Sequence, residues 1–261
     1  MTDAEKWLSP LRERGLVPDD MVAASLVGSL ARGWANPQSD VDIAVFVTRE
    51  WESDACMALP LPLNPPRVMS EGFNSGDRRW EVVYWTLGQV DQMLAKVSWE
   101  QFERNVVAQG LLHPREEILI SRLEHGVPLA GVDWLATAHE RVRTSAFRSF
   151  MMTRSLAASD DAVEDALGQL EGGDFESAVL SARRALGHSV DALLESHGEY
   201  LSLIPKWRPQ RFRAASPALL DFDRYWELES MRTYDQDAPA SWVTEVLGVC
   251  QDIALRVDLQ P

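Results

Sequence analysis

The stretch VGSLARGWANPQSDVDIAVFV, residues 27–47, decides the fold of this chain. An apolar run ends in Gly28-Ser29, and after ten intervening residues Asp40 and Asp42 open a second apolar run. This pattern predicts a strand, a turn, a short helix and a second strand. Because side chains alternate along a strand, the two aspartates would project from one face, roughly 6–7 Å apart along the chain.

This stretch also carries a chemical expectation. Two carboxylates on one face can hold Mg²⁺, a hard cation that prefers oxygen ligands and often completes its shell with substrate phosphates. Gly28 has no Cβ, so a phosphate group can approach its backbone closely, and the N–H groups of the following helix would point at it. The alternative is purely structural, a turn followed by an edge strand whose two aspartates are solvated.

Residues 27–47 resemble the signature of the polymerase-β-type nucleotidyltransferase superfamily, and are similar in particular to the antibiotic adenylyltransferases, such as those that modify aminoglycosides. The resemblance implies a catalytic domain that uses Mg²⁺ and, as co-substrate, ATP. It implies that the acceptor is a hydroxyl of a small molecule. It also implies that Ser29 meets the nucleotide phosphates, and Ser39 precedes Asp40 as in many members.

A third carboxylate, Glu81, lies in a β-branched and aromatic segment that predicts a strand at residues 79–86. The resemblance implies that a Glu on a neighbouring strand is a general base or a further metal ligand, with Asp40 and Asp42 as the other ligands. A carboxylate within hydrogen-bond reach can take the proton of a hydroxyl as it attacks. Two metals about 3.5–4 Å apart would stabilise the attacking and leaving oxygens. The alternative for Glu81 is a solvent-facing strand residue.

Further cations are candidates for nucleotide binding. Arg32 follows the Gly-Ser turn, where it either contacts a phosphate or is solvated on a short helix. Lys206 lies in the basic segment SLIPKWRPQRF, residues 202–212. This segment resembles the apolar-Pro-Lys stretch of streptomycin-type adenylyltransferases, which implies that Lys206 reaches the triphosphate. The alternative is a surface loop that balances nearby carboxylates.

Charge and composition limit the possible partners. The net charge of −15 makes a nucleic-acid substrate unlikely, because phosphate backbones are bound mainly by Lys and Arg. It fits a cationic small-molecule acceptor, and the acidic stretch at residues 160–176 offers candidate carboxylates, although most of these belong to a solvated helix face. No apolar stretch is long enough to span a membrane, and the first residues lack a signal-peptide core, so a cytoplasmic protein without a membrane partner is expected.

The chain predicts an α/β nucleotidyltransferase domain with a mixed sheet at residues 1–120, followed by an all-α helical bundle domain at residues 121–261. Residues 54–77, with four prolines, predict a long irregular connection, and no further strand is expected after residue 87. Helices are predicted at residues 4–14, 133–155, 160–171, 174–196 and 238–259.

Two other functions remain open. The first is a regulatory or toxin-type adenylyltransferase that acts on a protein, although such enzymes are usually minimal catalytic domains. The second rests on Arg183 and His188, which loosely fit the Arg-x4-His motif of HEPN-type RNA-binding or RNase modules. Positions five apart are not well aligned on one helix face, which weakens the second interpretation.

Overall fold

The computed structural model of the chain describes residues 3–104, 108 and 110–257. The chain divides into two compact units: residues 1–105 with 110–145, and residues 106–109 with 146–261. The sequence placed the domain boundary at residue 120. In the structure the first unit extends to residue 145. It includes residues 127–130 because they pair with its sheet.

A six-stranded mixed sheet forms the centre of the first unit, with the strand order β3-β4-β5-β2-β1-β6. Strands β2 and β5 are parallel, and every other neighbouring pair in this sheet is antiparallel. The strands are β1 Met21–Val27, β2 Val41–Val47, β3 Met57–Pro60, β4 Arg67–Ser75, β5 Arg78–Thr86 and β6 Val127–Ala130.

The central position of β2 follows from its sequence. Six of the seven residues of VDIAVFV are buried, and Asp42 alone is half-buried. A run that is apolar on both faces suits a strand covered on both sides. Asp42 is thereby held on a covered interior strand of the sheet.

The helices of the first unit are α1 Asp3–Arg12, α2 Gly28–Ala31, α3 Leu87–Lys96, α4 Trp99–Glu103, α5 Pro114–His125 and α6 Val132–Thr144. Helix α3 begins directly after β5 because Thr86 and Gln89 form a capping box. Helix α5 begins at Pro114, which is suited to a first helical position, and His113 caps it.

Two predictions for this unit were wrong. Residues 54–77 contain the strands β3 and β4 instead of an irregular connection, and β6 adds a strand after residue 87. The prolines between β3 and β4 lie in their connecting loop, which the Leu61 N–H closes by donating to the Pro66 carbonyl at 3.0 Å. Pro128 is tolerated in β6 because that strand is at the edge of the sheet.

The second unit is helical, which confirms the predicted fold class of a mixed-sheet domain followed by an α-helical region. Its helices are α7 Phe147–Gly172, α8 Phe175–Ser196, α9 Arg208–Ala215, α10 Phe222–Glu229 and α11 Pro239–Ala254. Asp174 begins α8 as predicted, since its side chain accepts the Ser177 N–H at 3.1 Å. The predicted end of the last helix, at residue 259, lies outside the described residues.

The helix boundaries around residue 150 differ from the prediction. The expected helix at residues 133–155 is split at Ser145, whose extended backbone ends α6 and whose hydroxyl donates to the Val142 carbonyl at 2.7 Å. The break expected between residues 155 and 160 is absent from α7. There the Ser159 hydroxyl lies 2.7 Å from the Ser189 hydroxyl of α8, so this polar group is satisfied by a neighbouring helix. None of the described helices is long and apolar enough to cross a membrane.

Candidate active site

The site begins where β1 ends. Val27 is paired with Asp42 across the antiparallel strands, so the turn at Gly28 lies directly beside the Asp42 carboxylate. Gly28 has a φ of +71°, a conformation that side chains oppose, and a Cβ at this position would lie 2.2 Å from the Asp42 Oδ2 atom. The glycine is therefore required both by the backbone and by the carboxylate.

Asp42 and Glu81 are brought together by the parallel pairing of β2 and β5. The two residues are directly opposite in the register, and both line one cavity of the first unit. Neighbouring strands are about 4.8 Å apart, so two such side chains can act on one group. The Ser70 hydroxyl on β4 lies 3.3 Å from the Glu81 Oε1 atom and donates a hydrogen bond to it. The pair lies toward the end of the sheet at which β1 ends and β2 and β5 begin.

Asp40 lies in the loop just before β2 and is half-buried. Its side chain is not part of the described cavity lining. Among the residues that the structure describes, no group of three or more His, Cys, Asp or Glu side chains is arranged to hold a metal ion. The arrangement thus joins Asp42 to Glu81, and the metal role of Asp40 stays a prediction.

Two arginines on α5 complete the polar part of the cavity. Arg115 and Arg122 are seven residues apart, close to two helical turns, so they lie on the same helix face. The Arg122 Nη2 atom is 3.6 Å from the Asp42 Oδ2 atom, and the two side chains are 25% and 18% exposed. Sequence reasoning missed both arginines. Their spacing in PREEILISRLEH was the available signal, but nothing in it pointed to Asp42.

Helix α5 is anchored at its first turn. Its N-terminal Glu116 is wholly buried, and the Lys96 ammonium donates to it at 2.6 Å. Glu116 also accepts the His113 N–H at 2.6 Å, while the Arg115 N–H donates to the His113 ring at 3.2 Å. These contacts hold the start of the helix in place and so position Arg115 at the cavity.

The rest of the cavity wall is largely apolar and includes Ile43, Val83, Trp85 and Ile118. The cavity measures about 180 Å³. Pockets that enclose a whole drug-sized ligand usually measure roughly 300–1,000 Å³. This cavity is therefore of a size for reacting groups and not for an entire nucleotide.

The predicted phosphate contacts lie around the loop between α2 and β2. Ser29 is in the first turn of α2, and its carbonyl accepts the Trp34 N–H at 2.9 Å. The Arg32 guanidinium lies over the Trp34 ring, 4.0 Å from its centroid. The Ser39 hydroxyl accepts the Asn36 N–H at 2.9 Å and thereby closes a turn. These contacts order the loop, and the phosphate roles stay predictions.

Lys206 lies in the second unit, in a short 3-10 turn at Pro205–Trp207. Its side chain is exposed, and its ammonium lies 5.2 Å from the centroid of the Trp207 ring. Two arginines of the same basic segment instead form ion pairs: the half-buried Arg208 and the buried Arg211 both pair with Asp191. The role of Lys206 at a triphosphate stays a prediction.

Comparisons with known proteins give a family match in the first unit. Residues 11–118 match the family described as the nucleotidyltransferase domain, and this segment includes Gly28, Asp42 and Glu81. Residues 11–118 are thus similar to known nucleotidyltransferase domains. The prediction that the chain is a nucleotidyltransferase is confirmed at this level, whereas an aminoglycoside-specific subtype is not established.

One solved structure shares the fold over most of its length. It is a nucleotidyltransferase-like protein from Exiguobacterium sibiricum, 12% identical, with a TM-score of 0.50, and the match covers 96% of this chain and 74% of that one. At this identity the likeness concerns the fold alone. No curated protein matches the chain.

Proposed function

We propose that the chain transfers a nucleotidyl group, AMP from ATP in the first instance, to a hydroxyl of a small acceptor and releases pyrophosphate. The observation that carries the proposal is the opposed pair Asp42 and Glu81 in one cavity beside the Gly28 turn. Nucleotidyl transfer is the general reaction of the domain that residues 11–118 match.

The donor set fits a divalent cation. Carboxylate oxygens are the ligands that Mg²⁺ prefers, and Asp42, with Asp40 two residues before it in the chain, would hold it. The open backbone at Gly28 leaves room for an oxygen-rich group against the Asp42 carboxylate. A bound Mg²⁺ would neutralise charge on the transferred phosphate and on the leaving pyrophosphate.

Glu81 is proposed as the general base. The acceptor oxygen forms a bond to the α-phosphorus, the bond from that phosphorus to the bridging oxygen of the leaving pyrophosphate breaks, and the hydroxyl proton passes to the Glu81 carboxylate. The hydrogen bond from Ser70 occupies one oxygen of Glu81 and restricts the orientation of the carboxylate. Arg115 and Arg122 place positive charge along the same cavity wall, where it would stabilise the negative charge of the phosphates.

The acceptor class rests on charge. The net charge of −15 and the acidic stretch at residues 160–176 support a cationic acceptor such as an aminoglycoside. The cavity itself balances two carboxylates with two arginines, so the local charge gives a polycation no advantage there. Neutral hydroxylated acceptors therefore belong in the same screen, and protein adenylylation is the alternative function.

The proposal is tested by transfer of label from [α-³²P]ATP, with Mg²⁺, to a panel of aminoglycosides, lincosamides and proteins. The Asp42→Asn variant, nearly isosteric with the native residue, is expected to abolish transfer while it keeps the far-UV circular dichroism of the native chain. Full turnover by this variant would reject the nucleotidyltransferase site. Label found only on protein would instead support the alternative acceptor.

A further inference from the structure

A basic groove lies in the second unit, and none of the residues that line it lines the cavity around Asp42. Its volume is about 340 Å³, within the range of roughly 300–1,000 Å³ that is usual for ligand pockets. Helix α8 supplies Arg183, Arg184 and His188, while α9 supplies Arg208 and α10 supplies Glu229. Three guanidiniums in one groove are unexpected in a chain with a net charge of −15.

Arg208 is fixed in the groove wall. Its guanidinium donates to both oxygens of Asp191, Nε to Oδ1 at 3.1 Å and Nη2 to Oδ2 at 2.8 Å. Its side chain is 12% exposed, so part of the guanidinium still reaches the groove. A charged group held by two hydrogen bonds binds a ligand with little further loss of conformational freedom.

The Asp191 carboxylate does not cancel this positive charge alone. Its Oδ1 atom also accepts from the Nη1 atom of Arg211, at 2.7 Å, and Arg211 is wholly buried. One carboxylate is thus shared between two guanidiniums. With Arg183, Arg184 and Glu229 added, the groove and the ion pairs behind it contain four guanidiniums and two carboxylates. Positive charge is therefore in excess there.

Gly187 explains how Arg208 comes so close to α8. A Cβ at this position would lie 3.2 Å from the Arg208 Nη2 atom, a tight contact that the guanidinium would have to relieve by a small shift. A glycine inside a helix is destabilising relative to alanine. The helix retains a costly residue at the point where it lets Arg208 form the groove wall.

His188 reports the local field. Burial lowers the pKa of His188, and the positive charges of Arg184, Arg208 and Arg154 lower it further, against the opposing effect of Asp191. Among these causes, the effects of the three arginines have the sign expected from the guanidiniums counted in the ion pairs.

From these contacts we infer that the groove binds a small phosphate-bearing anion, such as pyrophosphate, through the guanidiniums of Arg183, Arg184 and Arg208. Guanidinium groups suit phosphate because their N–H donors match its oxygens in pairs. The Glu229 carboxylate lies within the groove, 3.6 Å from Arg208 and 3.9 Å from Arg183, and the chain as a whole is acidic. Both features favour a compact anion over an extended polyanion such as RNA.

The inference does not rest on the proposed transfer reaction. It is tested by isothermal titration of the full-length chain with inorganic pyrophosphate, in EDTA so that no metal contributes. Arg183→Ala and Arg184→Ala are each expected to weaken binding about tenfold or more, since each removes charge-assisted hydrogen bonds to the anion. Arg232→Ala, which removes an exposed arginine elsewhere in the second unit, is the matched control and should bind as the native chain does.

One more variant and one local readout complete the test. Glu229→Gln removes the opposing carboxylate and should strengthen pyrophosphate binding. The pKa of His188 is a readout local to this groove, so that failure of the transfer proposal and failure of this one are distinguishable. As a local readout, pyrophosphate should raise the pKa of His188 in an NMR titration. Equal affinity in the native and Arg184→Ala chains, or a clear preference for a single-stranded RNA oligonucleotide over pyrophosphate, would overturn the inference.

Discussion

The backbone of Gly28 lies so close to Asp42 that a Cβ on residue 28 would stand 2.2 Å from the carboxylate oxygen Oδ2. Gly28→Ala is therefore expected to displace the carboxylate and to reduce nucleotidyl transfer at least 100-fold. Displacement of a catalytic group by about 1 Å has effects of that order. Gly33→Ala is the matched control: Gly33 also has a positive φ, +68°, but its Cβ would meet nothing within 4 Å. Comparable activity loss in both variants would show that backbone strain, and not Asp42, is responsible.

Glu81 faces Asp42 across two parallel strands. With Glu81→Gln, turnover should fall by about 10²–10⁴-fold, the usual contribution of a general base, while the dissociation constant of ATP with Mg²⁺ changes little. Rapid-quench kinetics and equilibrium binding separate the two quantities. A collapse of nucleotide affinity would make Glu81 mainly a metal ligand, and unchanged turnover would remove it from the site.

Arg122 competes for the carboxylate that a metal would use. Its guanidinium lies 3.6 Å from Asp42, so a divalent cation must share or displace this positive charge. Arg122→Gln is expected to strengthen Mn²⁺ binding several-fold in the absence of nucleotide, measured by electron paramagnetic resonance, since partly exposed pairs are worth up to about 1 kcal/mol. Arg115→Gln, from the same face of α5, is the control and should change Mn²⁺ affinity less. Equal changes in Mn²⁺ affinity in the two variants would indicate that the total positive charge of the cavity, and not the specific Arg122–Asp42 pair, opposes the metal.

Lys206 is exposed in the second unit. If it reaches the triphosphate, Lys206→Ala should weaken ATP binding about tenfold or more, with less effect on the acceptor. Fluorescence titration with a nucleotide analogue measures the first quantity, and Arg232→Ala is again the control. An unchanged dissociation constant for ATP would assign Lys206 to the surface.

The buried carboxyl group of Glu195 is expected to make the free energy of unfolding depend on pH. Burial, and then repulsion from Asp191, raise the pKa of this wholly buried carboxyl from 4.5 to about 7. The folded chain therefore holds a proton that the unfolded chain releases, so this stabilisation is complete below pH 4.5 and is lost as the pH rises through about 7. The loss in the free energy of unfolding is on the order of 3 kcal/mol.

Urea denaturation at pH 5 and pH 8 measures this effect. Glu195→Gln should reduce the fall in stability between the two pH values, whereas Glu176→Gln, an exposed change on the same helix, should preserve it. If the free energy of unfolding of Glu195→Gln fell between pH 5 and pH 8 as much as that of the native chain, other groups would be responsible for the pH dependence.

Much of the site could be predicted from the sequence because its signals are local. The apolar runs on either side of Gly28-Ser29 predicted β1, the turn and β2, and the aromatic segment predicted β5 around Glu81. The cap at Asp174 was predicted for the same reason, since a helix start depends on a few neighbouring residues.

The failures occurred where distant partners decide the outcome. Strand β6 exists because β1 offers it a hydrogen-bonding edge, and α7 continues past Ser159 because α8 satisfies that hydroxyl. Neither partner is a neighbour in the sequence. Propensity within a short window could not report them.

The sequence by itself determined that a glycine turn and an aspartate-bearing strand adjoin, because alternation and turn chemistry act over a few residues. Only the tertiary structure decided that Glu81 stands opposite Asp42 and that Arg122 lies beside the same carboxylate. It also decided that Arg183, Arg184 and Arg208 share one groove. The physical reason is that strand register and helix packing are set by the burial of whole faces, and this fixes which distant side chains meet.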